Sequence, residues 1–590
     1  FVEELVSMLI DQGVLHRSGD GWVAEQSLDR ISVPPTVAAL VAARLDRLEA
    51  AERDLVGRAS VVGKVFQRSA VAELSPPERR EDLGARLMTL VRKELVRPAG
   101  SSEVGDEAFR FRHILVRDAA YGSLPKEQRA DLHARFADWL ERTAGDRLHE
   151  YEEVIAYHLE QAHDARAELG LADETTRSLG ARAADRLEAS GGRAMHRRDL
   201  TAAVSLFGRA ARLTDDDRRR AEFYLKIGLS MSELGHIEDA VRLFADARAT
   251  AQAAGAELLA MEVRLEELSL QQFIDPSADD AEFVAVAEEL KERGTVVGDA
   301  GAQIAAHFAR GEAYLTVCRW QDQLRELEAA RALIELSGQT WRRGEVSAQI
   351  LNALRYGPTP ASEAIVRFEE ADRDPGRRIQ THAIGAPLYA MLGRFDEARR
   401  IYRDGIAYMT ERGVLVRQGA LSLSSGIVEL IAGDPEAAER NYIDGIDVLV
   451  SVGETGVLST VAAMCGLAQL RQGKLDAAMK SVALARQTGT AHDIATQATW
   501  RMVAAGVAAQ RGELERAEAL AEEAVVLLAP TDFLEMRGLA HEARANVRAV
   551  AGRHVEAADD LRRAIGEFDA KEDLVDAARV RAELARLSGS

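Results

Sequence analysis

Cysteine is scarce: Cys318 and Cys465 are the two in 590 residues. They lie too far apart in sequence to suggest a disulfide framework or a zinc-ligand spacing, and both read as small core residues in a reducing, cytoplasmic setting. Aromatic residues make up only 5% of the chain. That argues against a large β sandwich or barrel, which is built from β-branched and aromatic side chains. Long apolar runs are missing as well. The longest stretch without Asp, Glu, Lys or Arg, Thr455–Leu470, has 16 residues and includes Ser, Thr and Gln, too short and too polar to span a bilayer. No secretory pattern opens the chain, so no membrane partner is expected. A phosphate-binding loop is lacking too. The nearest string, Gly57–Val65 (GRASVVGKV), puts five residues between its glycines, and Val65 stands where a magnesium-binding hydroxyl is needed. The chain itself is expected to carry no catalytic residues, no cofactor and no metal.

What the chain does hold is charge, unevenly spread. The formal balance is −21, yet residues 1–150 contain 22 basic and 25 acidic side chains, leaving −18 to residues 151–590. An acidic body repels phosphate backbones, so no nucleic acid is expected as partner, and a basic peptide or protein fits better.

A repeat occupies the longer part. Gly433–Ala438 (GDPEAA), Gly473–Ala478 (GKLDAA), Gly512–Ala517 (GELERA) and Gly552–Ala557 (GRHVEA) each run glycine, four residues, alanine. A further small residue follows seven positions on: Gly445, Ala485, Ala524 and Ala564. Gly393–Ala398 and Gly235–Ala240 obey the same rule, and degenerate copies fall at Arg198–Ala203, Pro276–Ala281, Arg319–Leu324 and Gly357–Ser362. Ten units of ~40 residues result, each a helix, a glycine turn and a second helix. Alanines five and twelve residues after the glycine share one face of the second helix and let neighbours approach closely. The pattern resembles the tetratricopeptide repeat, best at Leu392–Gly393, Phe395 and Ala398, though that repeat is usually ~34 residues long. Such arrays bind a protein, peptide or small ligand on a concave face. Residues 571–588 read as a capping helix.

The first 145 residues differ. An opening amphipathic helix is followed by a strand, a Gly19–Asp20–Gly21 turn and a strand within Val14–Glu25. Pro34–Thr36 then starts a helix carrying Val37, Leu40, Val41, Leu45 and Leu48 on one side. Helices over about 51–62 and 81–95 follow, and Leu95–Val96 and Phe109–Phe111 flank a polar loop. Three helices and a two-stranded hairpin describe a winged helix. Its third helix interleaves Arg86, Arg92 and Lys93 with Glu81, Asp82 and Glu94, which suits packing rather than groove reading. The fold class is thus mainly α: a small winged-helix module, then an α-solenoid.

The blocks FVEEL (Phe1–Leu5), VPPT (Val33–Thr36), ARLDRL (Ala43–Leu48), ASVVGKVF (Ala59–Phe66), FRHILVRDAAY (Phe111–Tyr121), RADLH (Arg129–His133) and AYH (Ala156–His158) occur in this order. Together they resemble the region after the nucleotide-binding domain of bacterial STAND-type signalling ATPases, whose relatives include ATPase-fused adenylate/guanylate cyclases and LuxR-type activators. The resemblance implies that residues 1–30 hold the end of the ATPase lid helix plus a hairpin. It places the winged helix and following helices at 31–145, a helical connector at 146–190 and the superhelix at 191–590. ATP or ADP and magnesium would belong to an ATPase domain before Phe1, a partner of this chain. His113 would sense the nucleotide, with Arg112, Arg117 and Asp118 as helpers; the alternative is a buried histidine bonded to the backbone.

Other groups carry less. Val116–Arg117–Asp118 lacks the downstream asparagine of a kinase loop. His149, His158 and His163 lack the i, i+4 spacing of a helical metal pair. The expected role is a regulatory sensor region, with a cyclase parent favoured. A LuxR-type regulator would carry a DNA-reading helix-turn-helix after the repeats, where the cap is expected, and a free-standing scaffold is the third reading.

Overall fold

The computed structural model describes residues 15–18, 21–24, 37–101, 106–274, 280–339, 342–372 and 383–589. The FVEEL helix, Gly19–Asp20, Pro34–Thr36 and most of the Pro276–Ala281 copy lie outside them. The chain forms two compact units, residues 1–190 with 212–215 and residues 191–211 with 216–590.

In the first unit β1 (Leu15–Ser18) pairs antiparallel with β2 (Gly21–Ala24), Leu15 opposite Ala24. Then come α1 (Val37–Asp46), α2 (Ala50–Val62), β3 (Val65–Gln67), α3 (Arg68–Leu74), α4 (Leu83–Arg92), β4 (Val96–Ser101) and β5 (Glu107–Phe111). The strands form one antiparallel sheet in the order β3-β5-β4. Phe66 of β3 stacks with Phe109 of β5 at 6.0 Å and meets Phe111 in a tilted pair at 5.3 Å, over a core of Leu55, Val71, Leu87 and Leu90. The third helix is shorter than the expected 81–95. Glu94 takes a left-handed φ of 57° and the Leu95 amide bonds back to Leu90, closing the helix early. Strand β3 and helix α3 escaped the sequence pattern, because three residues cannot show an alternation. Helices α5 (Ile114–Ser123), α6 (Lys126–Ala144) and α7 (Leu148–Glu168) complete the unit.

Helices α8 (Glu174–His196) and α9 (Leu200–Leu213) fall across the boundary of the two units. After them the second unit is an α-solenoid of nine helical hairpins among the described residues. Four are α10 (Asp217–Glu233) with α11 (Ile237–Ala253); α12 (Glu257–Ile274) with α13 (Asp280–Val297); α14 (Ala300–Thr316) with α15 (Trp320–Ser337); and α16 (Arg343–Tyr356) with α17 (Ala361–Asp372). The other five are α18 (Ala386–Met391) with α19 (Phe395–Arg412); α20 (Leu415–Ile431) with α21 (Pro435–Ser451); α22 (Gly456–Arg471) with α23 (Leu475–Thr488); α24 (Ile494–Gln510) with α25 (Leu514–Leu528); and α26 (Leu534–Val550) with α27 (His554–Lys571). α28 (Leu574–Gly589) closes the array, so Lys571 ends the last hairpin rather than opening the cap.

Gly235, Gly393, Gly433, Gly473, Gly512 and Gly552 join the two helices of their hairpins with φ between 73 and 84°. There Arg394 donates its amide to Tyr389 at 2.8 Å, satisfying a carbonyl the helix end leaves free. Ala240, Ala398, Ala438, Ala478, Ala517 and Ala557 are fully buried on the second helices. Two degenerate copies need correction. The left-handed position of the fourth repeat is Cys318 (φ 52°), one residue before Arg319, so the fully buried Gln323 stands in the alanine slot. Gly357 is extended, and its glycine serves close approach: a Cβ there would lie 2.9 Å from the Trp320 Cβ.

First helices of neighbouring repeats pack on one another while second helices scarcely meet, so the first helices line the inner face. Close approach also decides a contact inside a hairpin, between α20 and α21. A Cβ on Gly426 of α20 would come within 2.2 Å of the buried Tyr442 ring, whereas nothing lies within 4 Å of a Cβ on Gly433. Gly426→Ala is therefore expected to cost about 2 kcal/mol through overpacking, and Gly433→Ala about 1 kcal/mol through its backbone angle alone. Urea midpoints of the two variants check the order, and equal losses would contradict it.

Candidate functional site

His113, Arg112 and Arg117 come from one β-to-α junction but do different things. His113 is exposed and is the N-cap of α5, its Nδ1 accepting from the Leu115 amide at 3.2 Å. It is bonded to backbone, yet not buried. Arg112 is exposed and pairs with Glu94 at 3.2 Å. Arg117 is committed to the fold: its Nε donates to the Ser60 carbonyl at 2.9 Å, it pairs with Asp118 at 3.0 Å, and it stacks on the Tyr121 ring.

Behind this junction is a buried cluster that sequence spacing concealed. The Tyr121 hydroxyl lies 2.9 Å from His133 Nε2, and His133 Nδ1 lies 2.8 Å from His158 Nδ1. In sequence His158 falls between His149 and His163. Instead α6 and α7 bring it to His133, 25 residues earlier, while His163 pairs with Asp164 at 2.9 Å. Burial, reinforced by Arg117 and Arg129, pushes His133 down to about 3, and burial beside His133 lowers His158 strongly. Both rings are neutral in the folded unit, one donating to the other. Among the described residues no group of three or more His, Cys, Asp or Glu could hold a metal ion, and no helix is long and apolar enough to cross a membrane.

The superhelix gathers charge on its inner face. Arg342, fully buried before α16, takes Glu262 and Glu266 of α12 at 2.9 and 2.7 Å and meets Glu345 at 3.7 Å. Glu233 at the end of α10 pairs with both Arg198 and Arg417. Glu345 feels both centres, and Glu312 of α14 adjoins Glu266 and Arg342. Five carboxylates thus share three guanidinium groups. Enclosure without enough counter-charge pushes Glu312 up to about 8, burial first and Glu266 next, and burial also raises Glu262 and Glu345. Glu233, flanked by two arginines, is held down at about 2 despite its burial.

A seam connects distant repeats. The Tyr408 hydroxyl donates to the Arg197 carbonyl at 3.0 Å, Trp320 and Gln321 donate their amides to Asp532 at 2.8 Å each, and Ser362 donates to Glu572 at 2.9 Å. Lys571 Nζ donates to the carbonyls of Leu354, Gly357 and Thr359 at 3.1, 2.6 and 2.8 Å. All these ties span 210 to 217 residues, roughly five repeats. The superhelix therefore completes a turn every five repeats, and the second turn rests on the first. Trp320, Tyr356 and Phe533 form a three-ring cluster across the seam, with centroids 5.0 to 5.6 Å apart. Arg355 beneath it pairs with Glu535 at 2.7 Å.

No protein-family model matches this chain, and neither does any curated protein. Among solved structures it is similar to a Rap protein complexed with competence and sporulation factor (12% identity, TM-score 0.46, 63% of this chain and 99% of that one). It is also similar to a Signal Transduction ATPase with Numerous Domains carrying a tetratricopeptide repeat sensor, from Pyrococcus horikoshii (13% identity, TM-score 0.27, 94% and 68%). Yeast Tom70 is a third (11% identity, TM-score 0.31, 78% and 96%). The fold assignment rests on the helix pairing itself: this is an α-solenoid of tetratricopeptide-like hairpins.

Because His133 and His158 are neutral when folded but titrate near 6.5 when released, the unfolded chain takes up more protons below that pH. The first unit is expected to lose stability progressively as pH falls from about 6.5 towards about 3. Exchange of α6 and α7 amides at pH 7.5 and 5.0 measures this. An unchanged opening equilibrium would mean that the rings are already charged or solvated.

Proposed function

We propose that this chain is the sensor-and-relay region of a signal-transduction ATPase. The superhelix takes a basic peptide or protein on its inner face, and the first unit, a winged helix, relays nucleotide state from an ATPase domain that supplies the ATP, ADP and magnesium chemistry. The output of the whole protein is, in this reading, adenylate or guanylate cyclisation. The observation that carries the binding role is the surplus of Glu233, Glu262, Glu266, Glu312 and Glu345 over Arg198, Arg342 and Arg417. A cationic side chain placed there would let Glu312 ionise and would offset the desolvation that now keeps its carboxyl protonated.

The relay role is supported by the motif order along the first unit together with its α2-β3-α3-α4-β4-β5 sequence of elements. His113 faces solvent at the start of α5, where a nucleotide-bearing domain could reach it. Hydrolysis is not a task for this chain in that reading.

Calorimetric titration with octa-arginine tests the binding role. Binding should weaken steeply with salt. It should fall about tenfold or more in a Glu266→Gln/Glu312→Gln double variant, the loss typical of a charged hydrogen bond. A wild-type chain that ignores the peptide at low salt removes the proposal. For the relay, ADP release from the parent is compared before and after His113→Ala, and unchanged release removes His113 from it.

A further inference from the structure

The charged ties across the seam share a design. Asp532 sits on the N-terminus of α15 and Glu572 on that of α17, while the Lys571 ammonium sits on the C-terminal carbonyls of Leu354 and Gly357 at the end of α16 and on Thr359 just beyond it. Acids meet the positive ends of helices and a base meets a negative end, so each tie satisfies orphan backbone groups and the helix dipole together. These partners come from another turn of the superhelix, whereas α20's neighbour α21 is capped by its own Asp434. Capping from a distance means that the two turns can part without breaking a hairpin, since water can take over at each freed terminus.

Side-chain choice at the seam points the same way. Four non-glycine residues have positive φ among the described residues, and three of them, Arg198, Cys318 and Glu572, lie on the seam. Arg198 and Cys318 hold the slot that glycine fills in the regular repeats. Cys318, which clusters with Phe533 and Met536, and Glu572, on the Ser362 amide, trade conformational ease for a cross-turn contact, while Arg198 pairs within its own turn with Glu233, the carboxylate that Arg417 of the second turn shares. The seam is also incompletely satisfied. Arg355 Nε and Nη2, Asp573 Oδ2 and Trp320 Nε1 are buried without a hydrogen-bond partner. Docking therefore gains the ring cluster and the caps but leaves charged and polar groups desolvated, which holds the net closing free energy small.

We propose that the seam is a releasable latch: the second turn of the superhelix undocks from the first as a unit, with Lys571 and Asp532 as its pins, while the hairpins on both sides stay folded. The lower end of the latch is Glu233, shared by Arg198 of the first turn and Arg417 of the second. Undocking withdraws Arg417 and leaves that inner-face carboxylate with one cation fewer. The latch is independent of which ligand the inner face takes.

Native-state hydrogen exchange on the full chain decides it, because the Trp320, Gln321 and Ser362 amides each have a cross-turn carboxylate as acceptor. These three should exchange through a shared opening well below global unfolding, faster than amides in the middle of α14 and α16. Lys571→Met should speed their exchange by about tenfold or more while the helix-centre amides hold their rates. A second variant guards against misfolding of the first. A Cβ at 235 would stand 3.1 Å from the Cβ of Val452, so an oxidised Gly235→Cys/Val452→Cys pair joins the turns and should slow the same three amides. If the wild-type seam amides exchange only with the helix centres, or if the oxidised pair leaves their rates unchanged, the turns do not part and the latch is refuted.

Discussion

Everything in the superhelix depends on how helix ends are satisfied. A helix closes its own middle but leaves four donors at one end and four acceptors at the other, and an array of hairpins multiplies those ends. The regular repeats deal with them locally, through a left-handed glycine and the amide that follows it. Where the winding brings one turn onto the next, the partner comes from five repeats away. The burial of Lys571 against the end of α16 follows from this substitution of distant for local caps.

The periodic part of this was legible in the sequence because it is local. Glycine and alanine in Gly393–Ala398 or Gly473–Ala478 are dictated by one backbone angle and one close helix contact, and both recur at fixed spacing. The fourth repeat was legible only to within a residue, since its left-handed position is Cys318 and its alanine slot holds Gln323; both departures belong to a turn that packs on the seam. The seam itself had no signal, because a constraint that spans 210 residues leaves no short-range pattern. His158 shows the same limit in the first unit. Its spacing to His149 and His163 was informative about neither, and its real neighbour, His133, is on another helix. His113 sits at the strand-to-helix junction that its motif position implies, and of its two readings the buried one fails, because an N-cap histidine needs only the first-turn amides and remains in solvent.

The acidity of residues 151–590 is two different things in physical terms. Much of it is ordinary surface charge, paired at three- and four-residue spacing along exposed helices, where screening leaves little net effect. The carboxylates around Arg342 are enclosed, and there the low supply of cations matters. Glu233 is ionised because two arginines flank it, whereas burial first and the neighbouring Glu266 next push the Glu312 carboxyl up to about 8 despite Arg342. Neighbouring glutamates of identical intrinsic chemistry are thus set to opposite states by the arrangement of the winding.

The regular return of the chain every five repeats has an evolutionary consequence. An open solenoid is modular and can gain or lose a unit anywhere, since each repeat meets only its neighbours. Here Asp532 must arrive over α15 and Lys571 over α16, so removing one hairpin between them would present each pin to the wrong helix. The array can count: its length is fixed by geometry between the paired turns, and variation in copy number is confined to changes that move by whole turns.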